Sequence, residues 1–360
     1  MGDTILRSKF QGVNMDDQDI KVLVVDDASF MLKAVSEILN SDPGLTVVGT
    51  AKNGREGLRK IKELRPDVIT LDMDMPVMDG ITAIRHIMIE SPVPVVVLSS
   101  LYNDGSITFE ALRLGVVDFV PKPSGAISRD IHVAGQKIID RIKIAAAVNI
   151  DNVRRVRLAK LDSKEDLSER YGFRHLDYIL AMGTTLSGPN TFIRLLSTLS
   201  PKLPATAVIV MDIAPQILDS FVRKFDDHTH WKIEIARDNT LLEQGTCYIA
   251  SDDSSVSVVM NDDNEPTLKV GPKVAEPLNL LFASAAAVFA QNTIGLLLTG
   301  VGSDGAKGFA KIRERNGLTI AQSTNTCVYP NLTQNAIEQG TVDVVAEETD
   351  LAREIEKVLK

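Results

Sequence analysis

Groups that carry charge or a hydroxyl follow four short apolar runs in the first part of the chain. They are Asp26 with Asp27, Asp72, Ser99 and Lys122. Because helical patterns separate the apolar runs, we expect the runs to form neighbouring strands of a parallel sheet. The carboxyl ends of such strands meet at one edge of the sheet, where α/β folds hold their functional groups. The sequence therefore predicts one site that combines acids, a hydroxyl and an ammonium group.

The chemistry that suits this site is phosphoryl transfer assisted by a divalent cation. Three carboxylates crowded at one point repel each other unless a cation lies among them. A set of oxygen ligands that must also admit phosphate oxygens favours Mg2+. The cation and Lys122 would neutralise negative charge as a phosphoryl group moves onto the carboxylate of Asp72.

On these motifs, residues 20–127 resemble a response-regulator receiver domain. The resemblance implies that Asp72 accepts a phosphoryl group from a histidine kinase. It implies a Mg2+ site formed by Asp26, Asp27, Asp72 and the backbone carbonyl of Asp74. The switch hydroxyl, the switch aromatic residue and the phosphate-pairing lysine that it implies are Ser99, Phe119 and Lys122. The implied fold is flavodoxin-like, with a doubly wound parallel sheet of five strands.

Length and composition set limits on the rest of the chain. With 360 residues, two domains are expected. No apolar run is long enough to span a membrane, and no secretory signal pattern is present, so we expect a cytoplasmic protein without membrane insertion. The net charge of -9 argues against an output domain that binds nucleic acid, since such domains usually show a basic face. Two cysteines far apart in sequence are expected to be reduced and buried.

The sequence suggests four segments. Residues 1–19 are polar and unpatterned, and we expect a disordered leader. The receiver domain follows at 20–127, and the charge-rich stretch 128–175 is predicted to be a linker that contains a helix. Residues 176–360 again alternate strands with helical patterns, which predicts a second α/β domain with mostly parallel strands. Within it, two runs joined by an acidic turn predict a hairpin at 255–260 and 266–270.

Three motifs of this second domain resemble the catalytic domain of the chemotaxis protein-glutamate methylesterase family, CheB. They are Gly183–Pro189, Val208–Pro215 and Leu298–Ala306. The order of receiver, linker and esterase-like domain also matches the family. The resemblance implies a methylesterase-like α/β fold and a role in a chemosensory system, with chemoreceptors or a coupling protein as partners.

The family uses a Ser-His-Asp triad, and this chain departs from it. The serine position is Thr185, the histidine position is Asp212, and only the acid, Asp304, is retained. An aspartate is a far poorer base than histidine for a hydroxyl proton. The threonine methyl group crowds a tight turn between strand and helix. The nearby positions that also depart from the family pattern are Ser187, Met211 and Glu276.

Three interpretations of the output domain follow. The preferred one is a response regulator that lacks methylesterase activity and acts by phosphorylation-gated protein binding. The alternative is an active protein-glutamate methylesterase and glutamine deamidase that acts on chemoreceptors. The second alternative is a cation or phosphate site built from Thr185, Asp212 and Asp304.

Overall fold

The computed structural model describes residues 19–99, 105–122, 129–153, 155, 156, 158, 176–185 and 188–359. The chain divides into two compact units, with the division between Arg155 and Val156. Across the described ranges, every helix is too short or too polar to span a lipid bilayer. The predicted leader, apart from Asp19, and the charge-rich residues 159–175 lie outside the described residues.

The first unit is a parallel sheet of five strands with helices between them. The strands are β1 (Ile20–Val25), β2 (Leu45–Ala51), β3 (Val68–Leu71), β4 (Val95–Ser99) and β5 (Asp118–Pro121). The helices are α1 (Ser29–Asn40), α2 (Gly54–Leu64), α3 (Gly80–Glu90), α4 (Gly105–Leu114) and α5 (Arg129–Ala146). The spatial order β2-β1-β3-β4-β5, with every described pair parallel, confirms the predicted doubly wound sheet.

Local sequence signals set the ends of the elements around the acids. The carboxylate of Asp79 accepts a hydrogen bond from Thr82 N at 2.7 Å, and so caps α3 at its amino end. Asn53 caps α2 in the same way through Glu56 N. All four residues of β3 are buried, which explains why this strand reads as a continuous apolar run. Asp72 is thereby held at the end of a central strand.

Helix α5 belongs to the first unit, although the sequence placed it in a linker. Its residues Ile138 and Ile142 are fully buried. Lys143 Nζ lies 2.7 Å from Asp42 Oδ2, and the division between the units follows α5 by several residues. The apolar face of α5 covers the sheet as the fifth helix of a repeating strand-helix pattern. The charge density of its other residues concealed this role in the sequence.

The second unit is built on a parallel sheet of seven strands. In spatial order these are β15 (Val344–Ala346), β14 (Leu318–Gln322), β13 (Thr293–Leu297), β6 (Tyr178–Gly183), β7 (Ala205–Met211), β10 (Thr246–Ser251) and β8 (Lys232–Ile235). Its helices are α6 (Gly188–Thr198), α7 (Pro215–Asp226), α8 (Pro277–Phe289), α9 (Ala306–Glu314), α10 (Asn331–Glu338) and α11 (Leu351–Val358). Every described strand pair in this sheet is parallel.

A small antiparallel sheet completes the second unit. The predicted hairpin is confirmed as β11 (Ser254–Met260) and β12 (Pro266–Pro272), and β12 also pairs with β9 (Thr240–Leu241). Strand β9 was not predicted, because two residues are too few to show an alternating pattern. The α/β fold predicted for both domains is therefore correct.

Candidate functional site

The acids of the first unit meet where the strand order reverses. Asp26 and Asp27 follow β1, and Asp72 follows the adjacent strand β3. Because β2 lies on one side of β1 and β3 on the other, the strand order reverses between β1 and β3. Ligand oxygens of these three carboxylates lie within 4.8 Å of one another. Crevices at such reversals are where open α/β sheets bind ligands. The donor set is all oxygen and fits a hard divalent cation such as Mg2+.

One lysine connects two of the three acids. Lys122 Nζ lies 2.7 Å from Asp26 Oδ2 and 2.9 Å from Asp72 Oδ2. Burial raises the pKa of Asp72, although the hydrogen bond from Lys122 opposes that shift. Burial would lower the pKa of Lys122, but its hydrogen bonds to Asp26 and Asp72 outweigh burial and raise it. The ammonium group therefore stays charged and compensates part of the buried negative charge.

The other predicted receiver residues are placed as follows. Phe119 is partly buried in β5 and packs against the core of the unit. Ser99 is the last residue of β4, and its side chain lies outside what the structure describes. The side chain of Asp74 is exposed, which agrees with an expected role for its backbone carbonyl and not for its carboxylate.

A second crevice lies at the reversal of strand order in the second sheet. The central strand β6 has β13 on one side and β7 on the other. Thr185 follows β6, Asp212 follows β7, and the loop that contains Asp304 follows β13. In the β6-β7 pair, Gly183 is opposite Val210, so Thr185 and Asp212 each stand two residues beyond the last paired position.

Thr185 is tied to the loop after β13. Its hydroxyl donates to Val301 O at 3.0 Å and accepts from Val301 N at 2.5 Å. A Cβ atom at Gly300 would lie 2.4 Å from Thr185 Oγ1, so only glycine permits this approach. The preceding residue, Thr184, is fully buried, and its hydroxyl donates to Thr299 O at 2.7 Å. Two adjacent threonines thus hold the turn against one loop.

Asp304 acts as a cap for helix α8 in this structure. Its Oδ2 accepts from Leu278 N at 2.7 Å and its Oδ1 from Asn279 N at 3.0 Å. Burial raises the pKa of Asp304, and the two backbone donors partly oppose the shift. In return, Asn279 Oδ1 accepts from Gly305 N and Gly308 N at the start of α9. Asp304 therefore caps the start of α8, and Asn279 of α8 caps the start of α9.

Asp212 is partly exposed, and its charge acts on a lysine that sequence reasoning had missed. Lys273 lies just beyond the hairpin, with Nζ 2.5 Å from Asp253 Oδ1. Burial would lower the pKa of Lys273, but the hydrogen bond to Asp253 and the charges of Asp252, Asp253 and Asp212 raise it. Lys273 is far in sequence from the motif that contains Asp212, so the sequence gives no sign that the two are close. Only the fold brings the end of the hairpin to the carboxyl edge of the sheet.

The described residues do not support a metal site of at least three His, Cys, Asp or Glu ligands at the second crevice. Within the ranges covered, the group Asp26, Asp27 and Asp72 alone meets that criterion. The histidines His228 and His230 precede the amino end of β8, the edge opposite the crevice, so neither takes the position of the family histidine. The residues that the structure brings together are Thr185, Val301 and the loop around Asp304.

Comparison with known proteins identifies both halves of the chain. Residues 22–130 match the model described as "Response regulator receiver domain", and residues 180–355 match "CheB methylesterase". A protein of Caldanaerobacter subterraneus is 36% identical over 343 residues, which cover 91% of this chain and 93% of the relative. A Pyrococcus abyssi protein is 35% identical, with 91% and 90% covered, and a Methanosarcina mazei protein is 33% identical, with 95% and 96% covered. All three relatives are named protein-glutamate methylesterase/protein-glutamine glutaminase.

These relatives correct one of our expectations. From the changes at Thr185 and Asp212 we predicted an output domain without hydrolase activity, and that prediction is wrong. Relatives that match almost the whole chain at 33–36% identity carry the name of an enzyme, which favours the interpretation that we had placed second. The error came from weighing two substituted positions above the rest of the chain. With a receiver half and a methylesterase half each matched by a family model, and a relative matched over 91% of the chain, the chain belongs to the protein-glutamate methylesterase/protein-glutamine glutaminase family.

Proposed function

We propose that this protein is a phosphorylation-controlled hydrolase that acts on methyl-esterified glutamate and on glutamine side chains of other proteins. The observation that carries the proposal is the match to named methylesterase/glutaminases over 91% of this chain, across both units. The crevice around Thr185 supports it, because a hydroxyl lies at the reversal of strand order where such folds bind substrates.

Control is assigned to the first unit. Asp72 is proposed to accept the phosphoryl group from a histidine kinase, with Mg2+ held by Asp26, Asp27, Asp72 and the carbonyl of Asp74. The close approach of three carboxylates and the ammonium group of Lys122 supports this assignment. The cation would balance the charge of the transferred group. Ser99 and Phe119 are the proposed switch residues.

Hydrolysis is assigned to Thr185. Its hydroxyl oxygen would bond to the ester or amide carbon, and methanol or ammonia would leave with one proton. Water would then split the acyl-threonine bond, which yields glutamate and restores the hydroxyl. Asp212, at the end of the neighbouring strand, is the proposed proton acceptor. A carboxylate is a weaker base than imidazole, so we expect slower turnover than a serine-histidine pair would give.

The substrates and partners proposed are those of a chemosensory array. The glutamyl side chains would belong to chemoreceptors, and the phosphoryl donor would be the histidine kinase of that array. The receiver half supports a histidine kinase as the phosphoryl donor, and the relatives' names support glutamyl side chains of proteins as the substrates. A coupling protein remains a candidate partner.

The test measures methanol release from methylated receptor and ammonia release from unmodified receptor, with and without acetyl phosphate and Mg2+. We expect release that acetyl phosphate increases for the wild type but not for Asp72→Asn. Thr185→Val should release neither product. Turnover that survives Thr185→Val would remove the threonine from the mechanism, and no release by any form would refute the proposed function.

A further inference from the structure

Val301 presents both of its backbone polar groups to one point in the second crevice. A single hydroxyl, that of Thr185, accepts from Val301 N at 2.5 Å and donates to Val301 O at 3.0 Å. The N–H and C=O of this residue therefore point to the same side. Both Thr185 and Val301 are partly exposed, so a substrate has access to them.

The residues on either side of Val301 are fixed by the chain that leads into α10. Gly300 N donates to Tyr329 O at 2.9 Å, and Gly300 O accepts from Leu332 N at 2.9 Å. Gly302 N donates to Asn331 Oδ1 at 2.6 Å. The Val301 peptide groups are thus held in place, and the Thr185 side chain is the part of this contact that is free to rotate about one bond.

In this contact the hydroxyl proton of Thr185 is bonded to Val301 O and is not directed to Asp212, the proposed proton acceptor. A hydroxyl has one proton and two lone pairs, and here the proton and one lone pair are bonded to Val301. Rotation of Thr185 toward a substrate leaves the Val301 N–H without an acceptor and the Val301 C=O without a donor. A bound substrate shields the Val301 N–H and C=O from water, and a polar group that is shielded and unpaired is unfavourable. The substrate therefore has to supply both an acceptor and a donor.

The two proposed substrates differ in their ability to do this. A glutamine side chain has a carbonyl oxygen that accepts and an NH2 group that donates, side by side. A glutamate methyl ester has the carbonyl oxygen but no donor. Only the amide matches the donor-acceptor pair of Val301 in full.

We propose that the Val301 backbone recognises the side-chain amide of glutamine, so that this protein prefers glutamine deamidation to methyl-ester hydrolysis. The inference rests on the proposed function and deepens it by naming the favoured substrate class. Without substrate, the Thr185 hydroxyl forms the two hydrogen bonds with Val301 that the amide would form. Sites built to bond a substrate group discriminate strongly against an analogue that lacks it.

The first experiment measures binding without turnover. Full-length Thr185→Val protein, which lacks the hydroxyl but keeps the side-chain shape, is titrated with three helical peptides that differ at one position. That position is glutamine, glutamate γ-methyl ester or alanine. We expect the glutamine peptide to bind about tenfold more tightly than the ester peptide, for one missing donor at a partly exposed site. The alanine peptide sets the background.

The second experiment compares turnover. For the wild type, kcat/KM for the glutamine and ester peptides is divided by the rate of hydroxide-catalysed hydrolysis of each, which removes the intrinsic difference in reactivity. The corrected ratio should favour glutamine. Thr184→Val is the matched control: it removes an adjacent buried hydroxyl that bonds Thr299 O and should keep the same ratio.

The outcomes separate the two claims. Equal affinity of Thr185→Val for the glutamine and ester peptides, together with wild-type turnover of the ester, would overturn the amide preference and leave the proposed function standing. If neither peptide binds above the alanine background and neither is hydrolysed, the proposed function fails and the preference fails with it.

Discussion

At the scale of single residues, Asp27 differs from the two acids beside it in exposure and in charge partners. Lys122 pairs with Asp26 and Asp72, both buried, whereas Asp27 is exposed. We therefore expect Asp27→Asn to change the free energy of unfolding of the metal-free protein by less than about 0.5 kcal/mol. The same substitution should remove most of the stabilisation that Mg2+ gives, because a ligand to the cation is lost.

The measurement is thermal unfolding with and without millimolar Mg2+. Asp74→Asn is the matched control, since its exposed carboxylate is not an expected ligand and its backbone carbonyl is retained. A Mg2+-induced rise in Tm that Asp27→Asn leaves unchanged would contradict the proposed metal site.

Thr70 carries a buried hydroxyl that has no hydrogen-bond partner among the residues that the structure describes. The residue is 1% exposed within β3, two positions before Asp72. Thr70→Val keeps the shape and removes the unsatisfied group, so we expect the first unit to be as stable as before or more stable by up to about 1 kcal/mol. Urea unfolding followed by circular dichroism measures the change.

The contrasting variant is Thr206→Val. Thr206 is also fully buried, but its hydroxyl donates to Thr246 O at 3.2 Å. Its loss should lower the free energy of unfolding of the second unit by about 1 kcal/mol. A Thr70→Val protein that is destabilised as much as Thr206→Val would show that the Thr70 hydroxyl has a partner in solution.

At the scale of elements, a largely buried arginine connects the helix after Thr185 with the last helix region of the chain. Arg194 of α6 bonds Glu348, which lies in a single 3-10 turn before α11, and also bonds Asn190. The side chains of Arg194 and Glu348 are 16% and 9% exposed. Removal of one partner leaves the other charge buried, so Arg194→Ala should lower the free energy of unfolding of the second unit by about 3 kcal/mol.

The matched control is Arg223→Ala in α7. Arg223 pairs with Asp219 at 2.5 Å, but the two side chains are 76% and 54% exposed. Exposed pairs contribute about 0.5 kcal/mol or less, and the control should change stability by no more than that. If urea unfolding shows that Arg194→Ala and Arg223→Ala lower the free energy of unfolding equally, the Arg194–Glu348 pair does not stabilise the second unit as proposed.

How far the sequence predicts each element depends on how its side chains are buried. The hairpin of β11 and β12 was predicted within two residues of its observed bounds, because two runs of strand-forming residues flank an acidic turn. Helix α5 was assigned to a linker, since its buried face of isoleucines is interrupted by many charges. The capping role of Asp304 was not predicted, because its partners at the start of α8 lie 25 and 26 residues away in sequence.

The same limit applies to the two crevices. The acids after β1 and β3 were predicted to meet because parallel strands end at one edge, and the structure brings them together. The contact between Thr185 and the backbone of Val301 had no signal, since backbone groups are the same at every residue. The role of Lys273 was also not predicted. Folding of the hairpin, and not a sequence motif, brings this lysine close to Asp212 and Asp253.

At the scale of the whole molecule, each unit has its own hydrophobic core. Leu23, Ile69 and Val95 lie in the core of the first unit, and Ile179, Val208 and Phe282 lie in that of the second. Units with separate cores are expected to unfold in separate cooperative steps. Urea unfolding followed by circular dichroism should therefore show two transitions.

The single tryptophan allows each of the two unfolding transitions to be assigned to one unit. Trp231 is fully buried in the second unit, and its indole N–H donates to Leu199 O at 3.1 Å. Its fluorescence should change in one transition only, and Mg2+ should move the midpoint of the other. A fluorescence midpoint that shifts with Mg2+ as much as the first-unit transition would show that the two units unfold together.

Both cysteines of the chain lie in the interior of the second unit. Cys247 is fully buried within β10, and Cys327 is buried beside Thr333. Burial raises the pKa of the Cys247 thiol, and burial raises that of Cys327 to about 12. Only thiolates react readily with alkylating reagents, so native protein should be labelled slowly at neutral pH. The rate of labelling at each cysteine therefore measures how often the protein opens to water at that position: within the sheet for Cys247, and beside α10 for Cys327.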